Sequence, residues 1–322
     1  MKHALITGGA GFIGSHLADR LLADGWTTTV LDNFDDFYDP FIKRANVESH
    51  LTDNGYRLVE ADIRDAHALD VNLTSEYDVI IHLAARAGVR PSIADPELYQ
   101  DVNVRGTLNL LEFARKRGIG QFVFASSSSV YGINPDVPWS EEQHVLLPIS
   151  PYAASKVAGE LFGHVYSHLY GIRFLALRFF TVYGPRQRPD LAIHKFAQRI
   201  LEGRAITVFG GGFMSRDYTF IGDIVDGIRS AISYSATPYE VINLGNSRPV
   251  ALMDLVREIE NAVGVSARID YADMQPGDVP QTFANIAKAR TMLGFEPKTN
   301  LTQGLAQFAD WMHHATLDAA AA

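Results

Sequence analysis

Tyr152 and Lys156 stand four residues apart in Ser150-Pro-Tyr152-Ala-Ala-Ser155-Lys156, and a helix-period run, Val157-Ala-Gly-Glu160-Leu161-Phe162, follows them. At that spacing both side chains lie on one helical face, a turn apart. A free phenol, with a pKa of roughly 10, is a poor base near neutrality. A neighbouring ammonium favours the phenolate, more so where water is partly excluded. Such a tyrosine can take a proton from an alcohol and later return it. The spacing alone is common by chance, so its partners decide the matter. Upstream, the strand-like Gln121-Phe-Val-Phe124 runs into Ala125-Ser126-Ser127-Ser128-Ser129, whose hydroxyls would line the same crevice as Tyr152. The plain alternative for the four serines is a polar loop.

Elements that could position this chemistry begin at the N-terminus. His3-Ala-Leu-Ile-Thr7 reads as a short buried strand, and Gly8-Gly9-Ala-Gly11-Phe12-Ile13-Gly14 leads into a helix with Ile13, Leu17 and Leu21 on one face. Strand, glycine turn and helix form the context in which such a loop binds a dinucleotide. Gly8 permits the turn, Gly11 lets backbone approach a pyrophosphate, and Gly14 lets helix pack on strand. The helix start then offers free N–H groups to phosphate. The next strand, Thr27–Leu31, ends in Asp32-Asn33, where an acidic residue can bind both ribose hydroxyls and repel a 2′-phosphate, so NAD is expected over NADP. Asp35, Asp36 and Asp39 read as a solvated loop.

The alternation continues through Tyr56–Glu60 with Asp62-Ile63 after it, Asp78–Ile81 with Leu83-Ala84-Ala85 after it, and a helix from Asn103 to Lys116. Repeated strand–helix units predict an α/β fold: a doubly wound parallel sheet whose ligands gather beyond the carboxyl ends of the strands. A large dinucleotide unit is expected over residues 1–178 plus about 217–248. A smaller α/β substrate unit takes about 179–216 plus 249–322.

Composition sets the outer bounds. The chain has 322 residues, 47% apolar and 20% charged, with a formal net charge of −9 and no cysteine. Disulfides and thiolate chemistry are excluded, and a nucleic-acid groove is disfavoured. No metal site is expected: Glu160, His164 and His168 share a helical face and read as a solvated stripe, as do His313 and His314 at the surface. The N-terminal pattern is not that of a signal peptide, and no apolar run reaches the roughly 18 residues of a membrane span. A cytoplasmic enzyme is the expectation.

The glycine loop, Asp32, Ser127 and the Tyr152/Lys156 pair together resemble the extended short-chain dehydrogenase/reductases, and more narrowly the nucleotide-sugar epimerases and dehydratases, over essentially the whole chain. That resemblance implies that Tyr152 is the base and that Ser127 binds the reacting hydroxyl. Lys156 then also holds the nicotinamide ribose of a permanently bound NAD. It extends the cofactor contacts to Phe12, Ile13, Asn33, Asp62, Ile63, Leu83, Ala84, Ala85 and Asn103. Two subunits are implied to pack through the helices carrying Val102 and Tyr152, with Leu161, Phe162 and Val165 apolar enough to take part.

The later chain bears on the substrate. Thr181 stands where similar enzymes carry an asparagine, Arg216 where an arginine grips a sugar-nucleotide diphosphate, and Asp278 where a uridine ribose is bound. Gln275 replaces a phosphate-binding arginine of the usual turn. Dehydratases carry Asp-Glu after the reactive hydroxyl, and uronate decarboxylases a glutamate before Val-Tyr-Gly. Here Ser128 and Ser129 occupy those places. With Arg90 and Arg188, the pattern looks most like the enzymes that epimerise UDP-glucuronate at C4. A C5 carboxylate needs a cation and hydroxyl donors, which Arg188, Ser128, Ser129 and Thr181 can supply. A 4-epimerase of neutral or N-acetylated UDP-hexoses, a UDP-glucuronate decarboxylase and a catalytically idle NAD-binding regulator stay open.

Overall fold

Seven parallel strands form the centre of the molecule. The computed structural model describes residues 1–143, 146–274 and 277–321, with the backbone alone over 315–321. In chain order the first half runs β1 (His3–Thr7), α1 (Phe12–Ala23), β2 (Thr27–Asp32), α2 (Pro40–Glu48), β3 (Tyr56–Glu60), α3 (Ala66–Asn72), β4 (Val79–His82), α4 (Val89–Ala94), α5 (Pro96–Gln100), α6 (Gly106–Arg117) and β5 (Gln121–Ser127). The second half runs α7 (Pro151–Tyr170), β6 (Arg173–Phe179), β7 (Thr181–Tyr183), α8 (Ala192–Leu201), β8 (Ile206–Phe209), β9 (Ser215–Phe220), α9 (Ile221–Ile232), β10 (Tyr239–Leu244), β11 (Pro249–Ala251), α10 (Leu252–Val263), β12 (Ile269–Ala272), α11 (Ala287–Leu293) and α12 (Leu301–Ala321). No described helix is long and apolar enough to cross a membrane.

The large sheet has the order β10-β6-β5-β4-β1-β2-β3, with every neighbour parallel. This is the doubly wound order, whose crevice opens where the winding reverses, between β1 and β4. Strand residues alternate between two cores, as the period-2 pleat requires. Ala4, Ile6, Val123 and Leu175 face one cluster, while Leu5, Phe122, Phe124 and Phe174 face the other. Small sheets β11-β9-β7 and β12-β8 lie apart from this one. Residues 217–220 pair with β11 and β7, and the chain returns to the large sheet at β10, over Val241–Leu244 as the sequence suggested. The expected turn around Gln275 lies outside the described residues.

Helix α7 is where the fold meets the chemistry. Ser150 caps it by accepting a hydrogen bond from Ala153 N at 3.1 Å, and Pro151 fills its first turn, which places Tyr152 at its start. Its far end is stopped by Gly171 in the left-handed region, at φ 69°. Between them Gly159 and Gly163 let the helix press onto the sheet: a Cβ at Gly163 would stand 2.1 Å from the Phe174 ring, and one at Gly159 2.4 Å from that of Phe124. Glu160, expected on a solvated stripe, is only 4% exposed because it faces this interface; His164 and His168 are exposed as expected. Phe162 is half-buried against the core, while Leu161 and Val165 are exposed.

Gly163→Ala is therefore expected to cost about 1–3 kcal/mol of stability by overpacking. Urea unfolding followed by circular dichroism reads this directly, and an unchanged midpoint would contradict the close helix–sheet approach.

Candidate active site

A cavity of about 490 Å³ opens along the carboxyl ends of the strands. Its floor is the turn after β1. Gly8 has φ +70°, and a Cβ there would lie 2.7 Å from Ala84 N. Gly11 stands at the cap of helix α1 and offers no side chain to it, so the helix's first N–H groups are left for a ligand. That cradle suits a diphosphate, whose charge the helix dipole would also favour. Gly11, Phe12, Ile13 and Gly14 line it, as expected.

The next strand ends supply the adjoining wall. Asp32 is 6% exposed and accepts from Phe34 N at 2.9 Å and Ala10 N at 3.1 Å, with Lys43 Nζ at 3.9 Å. Burial pushes its carboxyl pKa up, against the pull of Lys43 and the two amides. Asn33 donates to Asp62 at 2.9 Å, and three nitrogens of Arg64 also donate to Asp62. Against the cost of burial, those bonds hold the Asp62 carboxyl below its ordinary pKa. Asp62 and Ile63 line the cavity after β3, and Leu83, Ala84 and Ala85 after β4. These carboxylate acceptors fit a dinucleotide whose ribose carries free hydroxyls.

At the other end Ser127, Ser128, Ser129, Tyr152, Lys156, Thr181 and Arg188 come together. Lys156 is 3% exposed and donates to the Ala125 carbonyl at 2.8 Å. Burial lowers its pKa to about 7, with Glu160 acting in the opposite sense. Burial also raises the pKa of Tyr152; the Ser127 hydroxyl and then Arg188 pull it back. The sequence pointed to Lys156 as the cation that activates Tyr152; its Nζ stands over that ring, 5.8 Å from its centre, and donates to the Ala125 carbonyl. Arg188 also favours the phenolate through its charge. Its fork binds Asp190 through Nε at 2.9 Å and Nη2 at 2.8 Å, leaving Nη1 unused by that pair.

Four expected residues do not line the cavity. Asn103 accepts from Arg86 N at 2.8 Å and donates to Arg86 O and Ser155 Oγ, both at 2.9 Å, so it braces the wall from behind. Arg90, Arg216 and Asp278 form a separate cluster: Arg90 bonds Asp278 at 2.6 Å and stacks 4.8 Å from the Phe209 ring, while Arg216 donates to Ser215 O at 2.8 Å. Burial lowers the pKa of Arg216, which feels Asp278 and Arg90 nearby.

Several lining residues were not anticipated. Asp35, read as solvated, forms an ion pair with Arg86. Phe37 sits between two guanidinium groups, 4.9 Å from Arg86 and 5.4 Å from Arg188. The lone arginine in Leu83-Ala-Ala-Arg86-Ala-Gly was the available signal: a charge in a run of small residues at a strand's carboxyl end.

The depressed pKa of Lys156 has a consequence for stability. Between about 7 and its unfolded value of roughly 10.4, the folded chain holds fewer protons at this site than the unfolded one, so stability rises with pH there and the penalty is full below 7. In chain purified free of nucleotide, Lys156→Met should be more resistant to urea than wild type below about pH 7, the gap closing toward roughly pH 10. A gap independent of pH would contradict the buried ammonium.

Known relatives match nearly the whole chain. The chain is 45% identical over 313 residues to an uncharacterised protein of Methanocaldococcus jannaschii, covering 96% of each. It is 42% identical to UDP-glucuronate 4-epimerase 1 of Arabidopsis thaliana, over 95% of this chain and 76% of that protein. The crystal structure of UDP-glucuronic acid 4-epimerase from Bacillus cereus, in complex with UDP-glucuronic acid and NAD, superposes with a TM-score of 0.90 at 34% identity, covering 97% of this chain and 99% of that one. The pattern describing GDP-mannose 4,6-dehydratase matches residues 5–308. The chain thus belongs to the GDP-mannose 4,6-dehydratase family, and the nucleotide-sugar resemblance seen in its motifs is borne out.

Proposed function

We propose that this chain inverts C4 of UDP-glucuronate to give UDP-galacturonate, using NAD held in the cavity. The observation that carries the reading is the convergence of Tyr152 and Lys156 with Arg188 and the hydroxyls of Ser127, Ser128, Ser129 and Thr181 in one cavity. The names of the relatives support it. The carboxylates lining the cavity are Asp32, Asp35 and Asp62 among the described residues. None of these belongs to the serine cluster, which disfavours a dehydratase or decarboxylase needing an acid beside the sugar. We assign the dinucleotide to the seven-strand unit and the UDP end to the Arg90–Arg216–Asp278 cluster. The exposed stripe Leu161, Val165 and Leu169 on α7 suits a second copy of the chain, and a cytoplasmic setting suits the substrate.

Bound NAD would supply the acceptor, and later the donor, of the C4 hydride. Ser127 holds the C4 oxygen and offsets the burial of Tyr152, so that the phenolate can take the C4–OH proton. Lys156 orients the nicotinamide ribose from its place beside Ala125. Arg216 anchors the diphosphate end, so the 4-keto sugar can turn its other face while the UDP stays put. Tyr152 then returns the proton to the inverted oxygen. The 4-keto uronate is a β-keto acid and loses CO2 most readily when the C5–carboxylate bond stands perpendicular to the ketone plane. Nη1 of Arg188, with Thr181 and the serines, holds that carboxylate away from this geometry.

Purified chain incubated with UDP-glucuronate should yield UDP-galacturonate by proton NMR, and preferential turnover of UDP-glucose would favour a neutral-sugar epimerase. Tyr152→Phe is expected to lower kcat roughly 100- to 10,000-fold with the bound nucleotide content unchanged, as loss of one general acid–base group does. An unaffected rate would remove Tyr152 from the chemistry. Arg188→Ala should raise KM and divert product toward a UDP-pentose, seen in the same spectra; an unchanged product ratio would deny its hold on the carboxylate.

A further inference from the structure

Beneath the cavity lies a charged cluster that the proposed chemistry leaves unused. Glu160 and Arg178 form an ion pair in which each side chain is 5% exposed. Nε and Nη2 of Arg178 grip the two carboxylate oxygens at 2.9 and 2.7 Å, and Ser126 Oγ donates to the first of them at 2.5 Å. Arg178 stacks 4.7 Å from the Tyr131 ring, whose hydroxyl is fixed on Asn243 Oδ1 at 2.8 Å. A buried pair of this kind is a weak source of stability, because well-packed apolar residues often serve as well or better. Its location offers another reason for it.

Glu160 follows Lys156 by one helical turn on the same face of α7. Two successive residues at the end of β5 receive them: the Ala125 carbonyl accepts from Lys156, and the Ser126 hydroxyl donates to Glu160. Arg178 occupies both oxygens of Glu160, so the carboxylate is fixed near Lys156 without bonding to it. A direct salt bridge would draw the ammonium away from the cavity. Other titratable or charged groups around this face include Tyr152 on α7, His82 on β4 and the half-buried Glu141, which feels Arg178. Tyr99 on α5 packs its ring 6.3 Å from that of Tyr152, and Tyr239 on β10 donates to the Glu160 carbonyl. His82 is held between Thr7 and Thr107 and is neutral, its pKa pushed down to about 3 by burial and then by Lys156.

We propose that Glu160 is a positioning residue of the catalytic site: clamped by Arg178 and Ser126, it supplies the fixed negative charge against which Lys156 remains an ammonium. The role this gives Lys156 rests on the epimerase reading, but its protonation can be measured without turnover. In chain carrying lysine labelled with 13C at Cε, and with the Lys156 signal assigned through Lys156→Arg, the titration midpoint of Lys156 is read by NMR. In Glu160→Gln that midpoint should fall by about one pH unit, the effect of losing a nearby opposite charge. A purely structural role predicts the reverse, since loosening the interface admits water and raises the midpoint. A folded Glu160→Gln chain whose midpoint stays or rises overturns the proposal. Should that variant fail to fold, Glu160→Gln with Arg178→Met removes both charges; the midpoint should fall by less, because the opposing guanidinium goes too, and a midpoint there that stays or rises overturns the proposal equally. Wild-type chain inert toward UDP-glucuronate would sink the epimerase reading and leave this shift to be measured.

Discussion

A lysine amine buried in a place almost without water governs the rest of this structure. Lys156 is set there because α7 presses its glycines onto the aromatic rings of β5 and β6. The same contact seals out the solvent that would otherwise satisfy the charge. One carbonyl, from Ala125, takes the proton donor, and a clamped carboxylate a turn away supplies the opposing field. The neighbouring imidazole is kept neutral. Stability is spent here on chemistry, which is the usual trade at a functional site.

The cavity joins two unlike ends. The glycine cradle and the Asp32 wall are rigid, built from backbone at strand ends and from a buried acid tied to two amides. The other end is lined by short hydroxyl side chains and one guanidinium. The segment after β2 links the ends. Its Asp35 is ion-paired to Arg86, and its Phe37 ring is stacked between Arg86 and the same Arg188 that faces Tyr152. Cation–π contacts of this sort are worth about 0.5–2 kcal/mol each, enough to hold a short segment in place.

Much of this was legible in the sequence, where local chemistry dictates local geometry. The glycine turn, the acid ending β2, the serines ending β5 and the capped start of α7 are each fixed by a few adjacent residues, and all line one cavity. What stayed hidden depends on contacts distant in sequence. Glu160 looks like part of a polar stripe until Arg178, eighteen residues on, is brought beside it by β6. Asp35 looks solvated until Arg86 arrives from β4. The i, i+4 spacing placed Lys156 correctly under Tyr152, yet the direction of its ammonium was set by the Ala125 carbonyl, which spacing cannot show. β9, Ser215–Phe220, is half polar and carries no strand pattern that could be read locally; its pairing with β7 and β11 sets it.

The central claim is that one cavity removes a hydrogen from C4 of a sugar and gives the same hydrogen back to the opposite face. Conversion of UDP-glucuronate deuterated at C4, carried out in ordinary water and followed by NMR and mass spectrometry, addresses it most directly. The account predicts UDP-galacturonate that keeps its deuterium at C4. Product carrying solvent hydrogen at that carbon would contradict it.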